Sequence, residues 1–409
     1  MSPLRFLLIL FFSCVGISAA VLAADQIQEI GFVYPQATDE IRNYCRQREL
    51  FQVARPISSA LLLLILFQTG LLHRLRRWSE SLTPVYFLGF LVFLLALTLI
   101  LFAADLPYSF YLQYILEHNV GLSNQTLPDY TIEKLKMLAL QLSTSLLIVP
   151  FAAIVRRQQK YWSVSIWVLT GALTALLIFL KPLAIDPLFN KFNEMPEAKS
   201  SSLKTRIEDL CAKANLVNPQ LYIVDRSKQS KKINAYVTGI AGSTRIVLYD
   251  TLLKAVPEGE VLMVVAHEIA HYKFKHIYLG LLLSTVGLLP ALLAAEFLLA
   301  PQIPRLPPAW GIRSKSDPLF FALLLMAIQA SSPLLSPIEC AISRYMETEA
   351  DDYALTLRPD PITAANLFAH LSQIDMADPD PPAIIEFWLY THPSIKHRID
   401  RALERKERT

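Results

Sequence analysis

Seven stretches of the chain, residues 4–25, 56–72, 84–104, 137–155, 163–180, 277–300 and 319–337, are apolar almost throughout. A helix needs about 20 mostly apolar residues to cross a bilayer, and these stretches meet or approach that length. They predict a mainly α, multi-pass helical membrane protein with about seven spans, or six if the first is removed. Composition agrees: 53% of residues are hydrophobic and 18% charged, too apolar for an ordinary soluble domain. A net charge of +3, with no basic run interleaved with aromatics, gives nucleic acid no electrostatic footprint. Cys14, Cys45, Cys211 and Cys340 have no paired spacing, so neither a thiolate metal site nor a disulfide framework is indicated. The first segment carries Arg5 early and Val21-Leu22-Ala23 before Ala24, which suits a signal peptide over residues 1–24 and an uncleaved first span equally.

The spans divide the chain into a four-helix membrane region (56–180), a polar block (181–276), two further spans (277–337) and a second polar block (338–409). Two spans return the chain to the side it left, so a single soluble domain can be assembled from both blocks. In the first block, "LKTRIEDLCAKAN" reads as an amphipathic helix, and "QLYIVDR" and "TRIVLYDTLL" as strands separated by Gly239 and Gly242. The loops "HRLRRWSE", "RRQQK" and "RLPPAWGIRSK" carry excess positive charge and are expected in the cytoplasm. The polar blocks then lie on the non-cytoplasmic side of a bacterial cytoplasmic membrane or a eukaryotic endoplasmic reticulum membrane.

"VVAHEIAHYKFKH" ends the first polar block. On a helix, His267 and His271 are one turn apart, roughly 6 Å of rise, so both rings leave one face and can share an ion. Zinc accepts imidazole nitrogen at about 2.0 Å, and a catalytic site keeps three protein ligands and one open position, so a third ligand is needed. Glu268 stands where a general base must reach the water in that position. "SRYMETEADDYAL" sets Glu347 and Asp351 four residues apart on a predicted helix; one carboxylate can ligate while the other hydrogen-bonds a ligating histidine from behind. Taken alone, each motif also has a plain reading, a solvated helix face or an acidic helix start.

Together, "DPLFNKF", "KKINAYVTGIAGSTRIVLYDTLL", "VVAHEIAHYKFKH", "SRYMETEAD" and "THPSIKHRI" resemble the integral-membrane CAAX prenyl endopeptidases of type 1 and their prokaryotic relatives, over the region from Asp186 to Arg401. The resemblance implies a zincin-like domain with a small β-sheet and one Zn2+ per chain held by His267, His271 and Glu347. It also implies Glu268 as general base, spans surrounding an intramembrane chamber, and prenylated CAAX peptides or other membrane-associated chains as substrates. Because zincins bind extended peptides at a sheet edge, Asn234, Ala235 and Tyr236 become candidate substrate contacts, an ordinary Asn-containing turn being the alternative. His392 and Arg398 are candidates to stabilise an oxyanion, against helix capping and a surface ion pair. Asp351 and Arg344 are expected to support the site from behind. His276, near the opposite side of a continuous helix from His267, reads as interfacial.

The expected function is a membrane zinc metalloendopeptidase acting on membrane-associated or lipid-modified substrates, with a peptide or protein and the bilayer as partners and no nucleic acid. A quality-control protease in an organism without prenylation, and a scaffold or transporter with a structural zinc, are the other readings.

Overall fold

The computed structural model describes residues 32–157, 160–196, 201–216, 219–238 and 244–407; the first apolar segment, Gly239 and Gly242 lie outside the described residues. The membrane region comprises α1 (Asp39–Gln68), the short amphipathic α2 (Leu71–Leu82), α3 (Tyr86–Asn119), α4 (Leu127–Arg157) and α5 (Trp162–Phe189). The first polar block contributes β1 (Phe192–Glu194), α6 (Ser201–Lys213), β2 (Gln220–Val224), β3 (Ala235–Thr238), β4 (Arg245–Tyr249), α7 (Asp250–Ala255) and α8 (Glu258–Lys273). It is followed by α9 (His276–Arg305), α10 (Pro318–Leu357), α11 (Pro361–Ile374), α12 (Ala383–Leu389) and α13 (Ile395–Glu407). Among the described residues, α1, α3, α4, α5, α9 and α10 are long and apolar enough to cross a membrane.

The helices outrun the apolar windows. The first begins at Asp39 rather than residue 56, the second continues to Asn119 through a π-turn at Tyr111–Ile115, and α5 continues through another at Lys181–Ile185. Hydropathy marks the hydrocarbon layer, whereas helix ends depend on backbone partners and local pairing. Arg55 of α1 and Asp105 of α3, both outside the windows, form a bidentate pair at 2.6 Å. The boundary at residue 337 also disappears, because α10 runs unbroken for 40 residues. At 1.5 Å per residue that is about 60 Å, enough to cross the membrane and enter the second polar block.

Buried span residues gather at the end farthest from the polar blocks, where Leu63, Phe67, Phe93, Trp162, Leu319 and Phe320 share one core. Trp310 stacks on Phe67 with centroids 4.8 Å apart. The chain crosses His73 closely at Gly311, where φ is +68° and a Cβ would sit 1.8 Å from the His73 ring nitrogen; only glycine fits. The Arg76–Asp317 pair, 2.6 Å and almost fully buried, fastens α2 to the start of α10. Toward the other end, burial is sparse. Only 6% of the most apolar stretch of α5, and the same of α9, is buried, although these two helices pack on each other.

The sheet has the order β1-β2-β4-β3, with β2 and β4 parallel and both outer pairs antiparallel. β3 is therefore an edge strand, and α8 packs beside it.

Candidate active site

The sequence of α8, EGEVLMVVAHEIAHYK, is apolar on most of its circumference, the pattern of a helix buried on several sides. Leu262, Val265 and Ile269 join the sheet-side core with Ile246, Leu248 and Leu252. Met263 and Ala266 join a second core with Ala354, Phe368 and Ile399. His267, Glu268 and His271 remain partly exposed, held rigidly between the two cores. α10 packs along α8 and brings Glu347 and Asp351 to the same place.

The Nε2 atoms of His267 and His271 are 3.0 Å apart; Glu347 Oε2 lies 3.2 Å from the first and Glu347 Oε1 3.5 Å from the second. Ligands about 2.0 Å from a tetrahedral zinc are separated from one another by about 3.3 Å, so the carboxylate and the two imidazoles stand close enough to share an ion. Glu347 Oε2 is buried, with the Nε2 atoms of His267 and His392 at 3.2 and 3.3 Å, and a buried anion in such a place is costly unless a cation meets it. His267 Nδ1 lies 2.8 Å from Asp351 Oδ1, leaving the Nε2 lone pair for a metal. Burial opposes protonation of His267, but hydrogen bonds to Asp351 and Glu347 outweigh it and push its pKa up to about 10. The cluster thus favours positive charge, and the three residues together can hold a metal ion.

Burial pushes the Glu268 carboxyl above its usual range. His392, on the turn between α12 and α13, brings Nε2 to 3.3 Å from Glu347 Oε2. A cleft of about 430 Å³ adjoins these groups and is bordered by Asn234, Glu268, Phe368 and Arg398.

The contacts place three of the expected residues. Arg398 borders the cleft, and its Nε and Nη2 donate to both oxygens of Asp351, at 2.8 and 2.7 Å, the carboxylate that meets His267. Arg344 touches no ligand. It donates to the carbonyls of Glu386 and Tyr390, both at 2.7 Å, and steadies the segment that leads to His392. His276 is buried at the start of α9, with Nδ1 at 2.9 Å from His271 Nδ1 and Nε2 at 3.0 Å from Glu349. The physical signal was available: an apolar run that resumes directly after the motif makes a break between two helices plausible, and a break re-aims the histidine.

At the sheet edge, Tyr249 N–H donates to the Asn234 carbonyl. In an antiparallel pair the bonded positions alternate, which turns the backbone groups of Ala235 and Val237 outward. The Asn234 side chain accepts from the Ala235 N–H at 2.8 Å. Tyr236 points to the other face, where Lys181 lies over its ring.

Residues 197–406 match the model of peptidase family M48, and residues 26–191 match that of the CAAX prenyl protease N-terminal region with five membrane helices. The chain belongs to peptidase family M48. Among the relatives of this M48 chain is an uncharacterised metalloprotease, YhfN, of Bacillus subtilis, 28% identical over 92% of this chain and 88% of that one. A CAAX prenyl protease 1 homolog of Oryza sativa is 30% identical over 73% and 69% respectively. The crystal structure of S. mikatae Ste24p shares the fold, with a TM-score of 0.77 over 91% of this chain and 92% of that one at 23% identity. The M48 chain is accordingly a multi-pass membrane protein of a metalloprotease family.

Proposed function

We propose that the chain is a zinc endopeptidase that hydrolyses peptide bonds in membrane-associated substrates, lipid-modified peptides among them. The convergence of His267, His271 and Glu347, whose donor atoms lie within 4.8 Å of one another, with Glu268 next to His267 on the same helix, carries this reading. When bound, zinc lowers the pKa of a coordinated water and polarises the scissile carbonyl. Glu268 takes the proton of the attacking water and returns it to the leaving amine. His392 stabilises the oxyanion, and Asp351, fixed by Arg398, keeps His267 in the tautomer that presents Nε2. No covalent intermediate is involved.

The substrate adds as a strand to β3, bonding the outward carbonyl of Ala235 and the outward N–H and carbonyl of Val237, with Asn234 at the cleft end. At the Thr238 end, an apolar cavity of about 250 Å³ opens between α5 and α9, lined by Ile178, Phe179, Ile277 and Leu281 and reaching His271. Its lining and its place between two membrane helices suit a hydrocarbon chain, which favours lipid-modified substrates. The catalytic side is non-cytoplasmic, in keeping with the charged loops at the opposite end.

The test is cleavage of a fluorogenic peptide, with and without a farnesyl group, by the detergent-purified protein and its Glu268→Gln variant. The variant should retain zinc and lose 10²- to 10⁴-fold in rate, and the farnesylated peptide should be the better substrate. Equal rates on both peptides would replace lipid recognition by clearance of unmodified membrane chains; zinc without hydrolysis in the wild type would favour the scaffold reading.

A further inference from the structure

The two histidines of the motif are supported from behind in different ways. His267 rests directly on Asp351, itself neutralised by Arg398. His271 rests on another imidazole. The chain leaves α8 at Lys273, passes through Lys275 with φ +59° in the left-handed region, and starts α9 at His276. A left-handed conformation at a residue other than glycine, asparagine or aspartate is uncommon and persists only where the surroundings hold it. Here it turns the first residue of a membrane helix back against the metal cluster. Phe274 stacks on the His276 ring at 5.8 Å, and the side chain is 5% exposed.

Proton placement follows from the contacts. His271 Nε2 faces His267 Nε2 and Glu347, so its lone pair is there and its proton is on Nδ1. That N–H has His276 Nδ1 as acceptor at 2.9 Å, which puts the His276 proton on Nε2, where Glu349 Oε2 accepts it at 3.0 Å. Every donor has one acceptor. We infer that His276 and Glu349 form a relay that fixes the tautomer and orientation of His271 as a zinc ligand, making His276 a positioning residue of the site. The relay also ties the metal to the first turn of α9 and to α10. This inference rests on the zinc reading above.

The test measures zinc affinity of the full-length, detergent-purified protein by competition with a chelator, and the visible spectrum after Co2+ substitution. Such partners typically contribute 10- to 100-fold in metal affinity. His276→Leu should weaken zinc by that factor and alter the Co2+ spectrum. His276→Asn keeps an acceptor near the Nδ1 position and should restore affinity to within a few-fold of wild type. If His276→Leu fails to fold, Glu349→Leu carries the test, since that side chain is 38% exposed and its loss leaves the core intact; a several-fold weakening is expected. Zinc affinity within twofold of wild type in the foldable Leu variant, or Asn no better than Leu, overturns the relay. A wild type that binds no zinc would instead overturn the metal reading itself.

Discussion

Asp351 meets His267 at 2.8 Å and Arg398 at 2.8 and 2.7 Å, so one carboxylate serves a ligand and a buried cation together. Asp351→Ala should cost about 3–5 kcal/mol, because it strands the Arg398 guanidinium, and should weaken zinc 10- to 100-fold by freeing the His267 ring. Thermal unfolding and chelator competition read the two effects, and an unchanged melting temperature would count against the pairing. At this scale much was legible in the sequence. The four-residue spacings of His267 with His271 and of Glu347 with Asp351 translate directly into shared helix faces. The role of Arg398 was not legible, since a long side chain can reach any of several acceptors and spacing does not choose among them. His276 was misread because a single helical wheel was extended through Lys275, where the helix breaks.

The loop 226–234 that leads into β3 is held by elements far away in the chain. Ser123 pairs with Ser230 in an isolated bridge, Lys231 N–H donates to Leu122 O at 2.8 Å, and Thr251 Oγ1 donates to Lys232 O at 2.8 Å. Lys232 reaches Glu117 of α3 at 2.7 Å and Tyr44 of α1 at 3.0 Å, and Asp375 accepts from Ile233 N–H. Two membrane helices and the end of α11 therefore set the position of the edge strand. Lys232→Met should leave zinc content and kcat near wild type and raise KM several-fold, the pattern of lost binding rather than lost chemistry; an unchanged KM would show that β3 holds its place unaided. β2 and β4 could be read from β-branched and aromatic runs, although the end of the second run, Asp250–Ala255, is helical; β1, three residues long, carried no such signal, and β3 was expected only as a sheet-edge segment or a turn. The order of the strands could not be read, because the parallel β2–β4 pairing and the edge position of β3 depend on tertiary packing.

The two polar blocks meet at one end of the molecule, and the positive loops meet at the other. Arg76 pairs with Asp317, Arg313 with Glu80, and Arg156 lies over the Tyr86 ring, so α2, the end of α4 and the segment before α10 share one surface. Span parity and loop charge were enough to expect this grouping; the unbroken passage of α10 from membrane to metal cluster was not visible, because Pro333 and Pro337 look like a boundary. A reporter that works only outside the cytoplasm, fused at the C-terminus, should be active, and activity confined to a cytosolic reporter would reverse the orientation. In the proposed function one zinc joins the blocks through ligands from α8 and α10, and X-ray absorption at the zinc edge of the purified protein reads its neighbours. About one zinc per chain is expected, with only nitrogen and oxygen neighbours near 2.0–2.2 Å, and loss of the metal in Glu347→Gln. Zinc bound equally well by that variant, or sulfur among the neighbours, would contradict it.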